Sequence, residues 1–332
     1  MRVIIYGVGA VGGVVGGALV AAGHEVIGIA RGGQLAALRA GPLTVRHPGG
    51  VITADLPCVA GPDEIAFRPD DLILLTMKTQ DTAAALHALR ATGVYDQPIF
   101  CLQNGIANER LALRLFPNVH GVTVMMPAGF LDPGEVLCHG LPMLGMFDIG
   151  RYPGGSDGAD EALATLFDSG QMRGFVHDDV MASKRGKLLL NLGNILEAAL
   201  GRGVDAGPLR SRARTEAEAV LAAAGWDWQD VGMDDPRRTS LMQIGDIAGV
   251  ARFGGSTTQS LMRGTGAVET DYLNGEITLL GRLHGVPTPV NTYLTALSAE
   301  LAATGAEAGS RTLDDLVAGL AHWERDRQVQ RP

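Results

Sequence analysis

The rhythm of apolar and polar positions changes once along the chain. Over the first half, short uninterrupted apolar runs recur: VIIY (3–6), EVIGIA (25–30), DDLILLTMK (70–78), QPIFCLQNG (97–105) and NVHGVTVMM (118–126). Runs of this length, closed by a polar residue, are what strands buried on both faces look like. Between the first two, a helix is expected from Ala10 to Ala22, stopped by Gly23. LTVRHPGGVITADL alternates instead, and predicts a hairpin turning at 47–50. Strands alternating with helices imply an α/β fold with a doubly wound parallel sheet. RYPGGSDGADE (151–161) reads as a glycine-rich loop. After about Asp178 the helical period takes over, in stretches 179–200, 210–225, 237–250, 266–284, 290–303 and 312–325. The expected organisation is therefore a sheet domain over 1–177, an all-helical C-terminal domain over 178–325, and a polar tail over 326–332.

The segment from Val3 to Gly23 carries no charge and could pass for a membrane span. Its glycines fit a strand–turn–helix unit better, because GVGAVG (7–12) stands between the first strand and the first helix. In that context GxGxxG is the turn of a Rossmann-type nucleotide-binding domain. Gly7 makes the tight turn, Gly9 admits a pyrophosphate, and Gly12 lets helix and strand approach. The turn residues Gly7, Val8, Gly9, Ala10, Val11 and Gly12 would offer the phosphates backbone N–H groups at a helix N-terminus. An NAD enzyme normally ends its second strand in an acid that binds the ribose 2′-hydroxyl. Here no acid lies between Glu25 and Asp55, and the strand ends GIAR. Arg31 at that place favours the 2′-phosphate of NADP (NADPH); the other reading is an ordinary surface arginine. Lys78 and Asn104 each stop an apolar strand, where open α/β sheets bind ligands. Lys78 suits a ribose or phosphate and Asn104 the nicotinamide end, although QNG is also a common turn sequence.

Composition narrows the function classes. A net charge of −9 with a pI near 5.4 argues against a nucleic-acid partner and against a membrane surface. Cys58, Cys101 and Cys138 are widely spaced, without a CxxC, as in a reducing cytoplasm. The expected protein is soluble and cytoplasmic. The acids of DVGMDDPRR (230–238) read as a turn capping a helix, so no metal site is expected there. His139 reads as a strand-end residue and Ser256 has no triad partner in view. Trp226 and Trp228 read as packing at a helix end, and Glu197 as a surface residue.

One helix is harder to place. In KRGKLLLNLGN (184–194), Lys184, Lys187, Asn191 and Asn194 fall on one face of a 3.6-residue period. The stripe is either a solvated face or the lining of a pocket for an anionic, oxygen-rich ligand.

GVGAVG, GIAR, MKTQ, LQNGIANE, GEVLCHG, KLLLN, VETDYLNG and HGVPTP occur in an order and spacing that resemble the ketopantoate reductase (2-dehydropantoate 2-reductase) family, from residue 1 to about 300. The resemblance implies a Rossmann-type domain, a helical C-terminal domain and an active site in the cleft between them. It implies NADPH-dependent reduction of a 2-keto acid, most directly ketopantoate to pantoate. Lys187 would be the general acid and Glu269 a second catalytic residue near substrate and nicotinamide. Asn191 would bind substrate, Asn104 and Lys78 would serve the coenzyme, and Arg31 its 2′-phosphate. Two positions depart from the family pattern. The second substrate amide is expected at 195, which is Ile195, with Asn194 one residue early; the family serine falls on Ser256 or Thr257, depending on the motif from which one counts. Asn104, Asn191, Asn194 and Ser256 are thus the substrate-binding candidates. For Lys184 both readings stay open. A relative acting on another branched or aromatic 2-keto acid, and a non-catalytic NADP-responsive binding protein, are the alternatives; a homodimer is left open.

Overall fold

The structure, a computed structural model, describes residues 1–232, 234–252, 254–262 and 268–329. The chain divides into two compact units, Met1–Lys184 with Gln229–Ala251, and Arg185–Trp228 with Arg252–Pro332.

In the first unit, β1 (Arg2–Tyr6) leads through the glycine turn into α1 (Ala10–Ala21), β2 (Val26–Ile29) and α2 (Gly32–Ala40). The expected hairpin follows as β3 (Leu43–His47) and β4 (Gly50–Ala54), then β5 (Cys58–Val59). Next come β6 (Asp71–Leu75), α3 (Thr79–Ala91), β7 (Ile99–Cys101), α4 (Asn108–Leu113) and β8 (Val119–Met125). Three short strands, β9 (Ala128–Asp132), β10 (Glu135–Cys138) and β11 (Gly140–Pro142), precede β12 (Met146–Arg151), α5 (Gly158–Ser169) and β13 (Arg173–Val176). Asp157 starts α5 with a capping box closed by Asp160.

The main sheet runs β5-β2-β1-β6-β7-β8-β12-β13. The strands from β5 to β8 are parallel, whereas β12 is antiparallel to β8 and carries β13 parallel to itself. The doubly wound parallel sheet expected from the sequence is present over β5 to β8, and at the β12 edge it becomes mixed. Its two faces are read off alternate residues. Val3, Ile5, Leu72 and Leu74 join one apolar core, and Ile4, Ile73 and Leu75 the other. Chain order reverses across β1 and β6, which is where such sheets bind ligands beyond their carboxyl ends.

The glycines of α1 have a packing cause. A second sheet, β4-β3-β10-β9, covers the helix on the side away from the main sheet. A Cβ at Gly16 would lie 3.1 Å from Ile5 of β1, while one at Gly13 would lie 2.9 Å from Val136 and one at Gly17 2.7 Å from Val45. The helix is squeezed from both sides, so it is apolar all round and short of side chains.

α6 (Val180–Asn191) runs from the first unit into the second, and α7 (Asn194–Leu200) and α8 (Gly207–Ala223) follow. The chain then returns to the first unit as α9 (Pro236–Leu241) and β14 (Met242–Ile244). β14 pairs antiparallel with β11, so the helix expected over 237–250 is mostly absent. The apolar positions there fit either period, and the free edge of β11 decides for a strand. The second unit resumes as α10 (Ser256–Met262), a 3₁₀ turn at Glu269–Tyr272, α11 (Asn274–His284), α12 (Pro289–Thr304) and α13 (Leu313–Val329). Its core joins Ile195, Leu196, Leu209, Val290, Leu294 and Leu320. α13 takes in most of the expected tail, and 330–332 lie outside the described residues. No helix among the described residues is long and apolar enough to cross a membrane.

Candidate active site

The N-terminus of α1 has the features an anion site requires. Its N-cap is Gly9, with no side-chain cap and no acid in the first turn. The first N–H groups of a helix lack intrahelical acceptors and carry the positive end of its dipole. Gly7 has φ +108°, and a Cβ there would lie 2.7 Å from the Met77 nitrogen at the end of β6. A Cβ on Gly12 would collide with Gly7 O and Thr76 Oγ1, whereas one on Gly9 would meet nothing within 4 Å. Gly7 and Gly12 therefore serve the turn itself, and Gly9 leaves open space in front of the helix end. That is the cradle a pyrophosphate needs.

Arg31 N-caps α2 just beyond β2; its side chain is 84% exposed and pairs with Asp81 at 2.9 Å. Lys78 N-caps α3 and is half-buried, as is Asn104 beyond β7. A buried polar network joins the loops that carry them. Gln103 Nε2 donates to Thr82 Oγ1 at 2.7 Å, and Thr82 donates to Asn108 Oδ1 at 2.8 Å. Asn108 Nδ2 donates to Thr79 Oγ1 (3.2 Å) and to the Asn104 carbonyl (3.3 Å). The loops after β6 and β7 are thereby one rigid body, with Lys78 and Asn104 on it.

The lysine–asparagine stripe does not act as one face. Lys184 points into the first unit, 2% exposed, and pairs at 2.5 Å with Glu109, which is 0% exposed. Its ammonium also donates to the carbonyls of Gln103 (2.9 Å), Cys101 (3.2 Å) and Val122 (3.3 Å). Neither a solvated face nor a ligand pocket describes it: Lys184 is an internal tie between α6 and the ends of β7 and β8. Its neighbour Ser183 makes a second tie, donating to buried Asp148 at 2.5 Å. Farther along α6, Lys187 is half-buried and Asn191 buried. The helix breaks at Leu192 and Gly193, so Asn194 opens α7 and leaves the stripe.

Within the second unit, Glu269 is half-buried at the start of the 3₁₀ turn. Asn274, which follows that turn, donates through Nδ2 to the Leu192 carbonyl (3.2 Å) and to Asn291 (3.1 Å). The element carrying Glu269 is thus fastened to the end of the helix carrying Lys187 and Asn191. Glu197 accepts the Gly255 N–H at 2.9 Å, and Asn194 Oδ1 lies 3.7 Å from where a Gly255 Cβ would be. Glu197 is therefore a tie for the segment leading into Ser256, not a surface residue. Ser256 opens α10 half-buried, while Thr257 is buried.

Other clusters are accounted for by their own partners. His120, Asp157 and Asp160 bring ligand-type atoms within 4.8 Å of one another. Yet His120 is bonded to Asp160 (2.7 Å) and Asn118 (2.9 Å), and Asp157 caps α5 and pairs with Arg151. His139 bonds the Gly245 carbonyl between β10 and β11, as a strand-end residue should.

A family model for ketopantoate reductase PanE/ApbA matches residues 3–154, and the model for the C-terminal part of the same family matches 179–302. The chain belongs to the ketopantoate reductase family. Its relatives include the 2-dehydropantoate 2-reductase of Pyrococcus horikoshii, 29% identical over 90% of this chain and 96% of that one. Among solved structures, a PanE/ApbA family ketopantoate reductase from Ralstonia eutropha JMP134 superposes with a TM-score of 0.75. It is 29% identical, with 92% of this chain and 99% of that one covered. A ternary structure of D-mandelate dehydrogenase with NADH and anilino(oxo)acetate shares the fold, with a TM-score of 0.76 at 24% identity, over 92% and 99% of the chains. The ketopantoate reductase family is one of pyridine-nucleotide-dependent reductases, and the glycine cradle of the first unit fits such a coenzyme.

The sequence reading did not find Glu109, Thr82, Asn108 and Asn274. The signal for Asn108, Glu109 and Asn274 was polar residues inside the motifs LQNGIANE and VETDYLNG, where a surface role would have been the default; Thr82, just after MKTQ, gave none.

Proposed function

We propose that the protein is a cytoplasmic NADPH-dependent reductase that converts ketopantoate to pantoate. The first unit would hold the coenzyme and the second the keto acid. The carrying observation is that both units, across 89–90% of the chain, match relatives named 2-dehydropantoate 2-reductase. The motif residues Lys187 and Glu269 are present alongside.

In this reading the α1 N-terminus, Val8 to Gly12, takes the pyrophosphate, with Gly7 setting the turn. Arg31 takes the 2′-phosphate, which distinguishes NADP from NAD. Lys78 and Asn104 steady the ribose and the nicotinamide end. The coenzyme, when bound, supplies the hydride. As the carbonyl carbon accepts it, charge grows on the carbonyl oxygen, and the Lys187 ammonium stabilises that charge and delivers the proton. Glu269 orients Lys187 and the substrate. Asn191, Asn194 and Ser256 hold the carboxylate and hydroxyl of the substrate through short-range donors.

The test is NADPH absorbance with a panel of 2-keto acids. Ketopantoate should be reduced faster than pyruvate, and Lys187→Ala should lower turnover roughly 10²–10⁴-fold, the range for a positioned acid. Preference for an aromatic keto acid would assign the chain to a different substrate, and no oxidation with any member would support a binding protein instead. Sedimentation velocity decides between a monomer and the homodimer the family resemblance allows.

A further inference from the structure

At the carboxyl ends of β1 and β2, the proposed 2′-phosphate ligand is not alone. Arg31 is held by the carboxylate of Asp81 at 2.9 Å, although the guanidinium is 84% exposed and Asp81 37% exposed. Asp81 lies in the first turn of α3, three residues after Lys78, and its N–H bonds the Lys78 carbonyl at 2.9 Å. An acid in a first helical turn is favoured by the helix dipole, so the carboxylate has a reason to stay in place. Tyr6, at the end of β1, lies in the field of the same groups. Burial raises its hydroxyl pKa; among the charged groups acting on it, Arg31 opposes the rise, while Asp63 and Asp81 add to it. The charged groups acting on Tyr6 are thus one guanidinium and two carboxylates, beside Lys78 at the start of α3, while Arg39 is engaged with Glu64 at 3.2 Å.

We infer that Asp81 is a specificity-determining residue, a counter-ion that competes with the 2′-phosphate of the coenzyme for Arg31 and so limits the preference for NADPH over NADH. The inference rests on the reading of Arg31 as the 2′-phosphate ligand. A phosphate approaching Arg31 either displaces the Asp81 carboxylate or shares the guanidinium with it, and like charges at that distance repel. NADH, with a neutral 2′-hydroxyl, meets no such competition, and a carboxylate can even accept that hydroxyl's proton in a hydrogen bond. The pair therefore works against the arginine's own selectivity. The strength of an exposed ion pair of this kind is small, which keeps the effect within a modest factor.

The experiment is fluorescence titration of NADPH and of NADH into four proteins at one ionic strength: wild type, D81N, R31A and R31A/D81N. Circular dichroism serves as the folding control, which these exposed side chains should pass. D81N should raise the NADPH-to-NADH affinity ratio about two- to fivefold, the range for freeing one exposed guanidinium. In the R31A background the same change should move the ratio less than about twofold, because the competition has lost its object. A D81N ratio that stays level or falls would overturn the proposal and make Asp81 a support for Arg31. So would an increase that persists undiminished without Arg31. If R31A fails to lower the wild-type ratio, the 2′-phosphate reading itself falls. If R31A lowers it while D81N does not raise it, only the role of Asp81 falls.

Discussion

Lys184→Met removes a buried ammonium and leaves its partners behind. Glu109 is fully buried, and its carboxylate oxygens have no hydrogen-bond donor among the described residues beyond the ion pair with Lys184. Removing one partner of a buried pair costs about 3–5 kcal/mol, chiefly because the other charge stays buried without compensation. Three carbonyls, of Cys101, Gln103 and Val122, lose a donor as well, so the upper part of that range is expected. For a unit of roughly 200 residues this corresponds to a drop of about 6–20 °C in Tm. Glu109→Gln should be milder, about 1–3 kcal/mol, because the ammonium keeps its carbonyls. The double variant should be less unstable than the two single losses added, by a coupling of about 1–3 kcal/mol. The probe matters. Trp226, Trp228 and Trp323 all belong to the second unit, so tryptophan fluorescence follows that unit, and far-UV circular dichroism is needed for the first. Two units also make a single two-state transition an assumption to be tested by comparing the probes. A Lys184→Met protein within about 1 kcal/mol of wild type by circular dichroism would refute the buried tie and return the lysine to solvent.

Other outcomes follow from the same geometry. Gly9→Ala should leave stability nearly unchanged yet weaken NADPH binding at least about tenfold, since its Cβ has open space only until a pyrophosphate fills it. Gly12→Ala should instead lower Tm, because its Cβ collides with Gly7 O and Thr76 Oγ1; equal effects of the two on stability would contradict this division of roles. Asn191→Ala should raise the Michaelis constant for the keto acid more than it lowers turnover, as read from initial rates. Burial pushes the Cys58 thiol up to about 11 and Cys138 up to about 12. At pH 8 the native protein should therefore react slowly with a thiol reagent, and three thiols should become reactive on denaturation; fast native labelling would contradict the burial.

The strands, the glycine turn and the hairpin were legible because each rests on local pattern: continuous apolar runs, glycines at fixed spacing, and turn residues between alternating positions. The mixed edge of the sheet was not, since nothing local in β12 states the direction of its neighbour. The strand Met242–Ile244 was hidden for the same reason, as its partner β11 lies about a hundred residues away. The stripe of α6 shows the limit of periodicity most clearly. A helical wheel says which residues share a face but not what that face meets. Lys184 meets a buried glutamate and three carbonyl groups, and α6 ends at Asn191, so that Asn194 starts a separate helix. The glycine turn was legible because its geometry requires glycine at fixed places: Gly7 has φ +108° and Gly12 has no room for a Cβ. The supports of the candidate site were not, because Thr82, Asn108 and Asn274 act through partners distant in sequence.

We propose Lys187 as the proton donor to a keto acid that a bound pyridine nucleotide reduces. Single-turnover reduction of ketopantoate by NADPH-loaded protein, wild type against Lys187→Ala, tests it most directly, with NADPH affinity measured on the same samples. Rapid NADPH oxidation by wild type, a loss of roughly 10²–10⁴-fold in the variant, and coenzyme affinity changed by less than about threefold are expected. Near-normal turnover by Lys187→Ala, or oxidation that ketopantoate does not accelerate in wild type, would contradict the proposal.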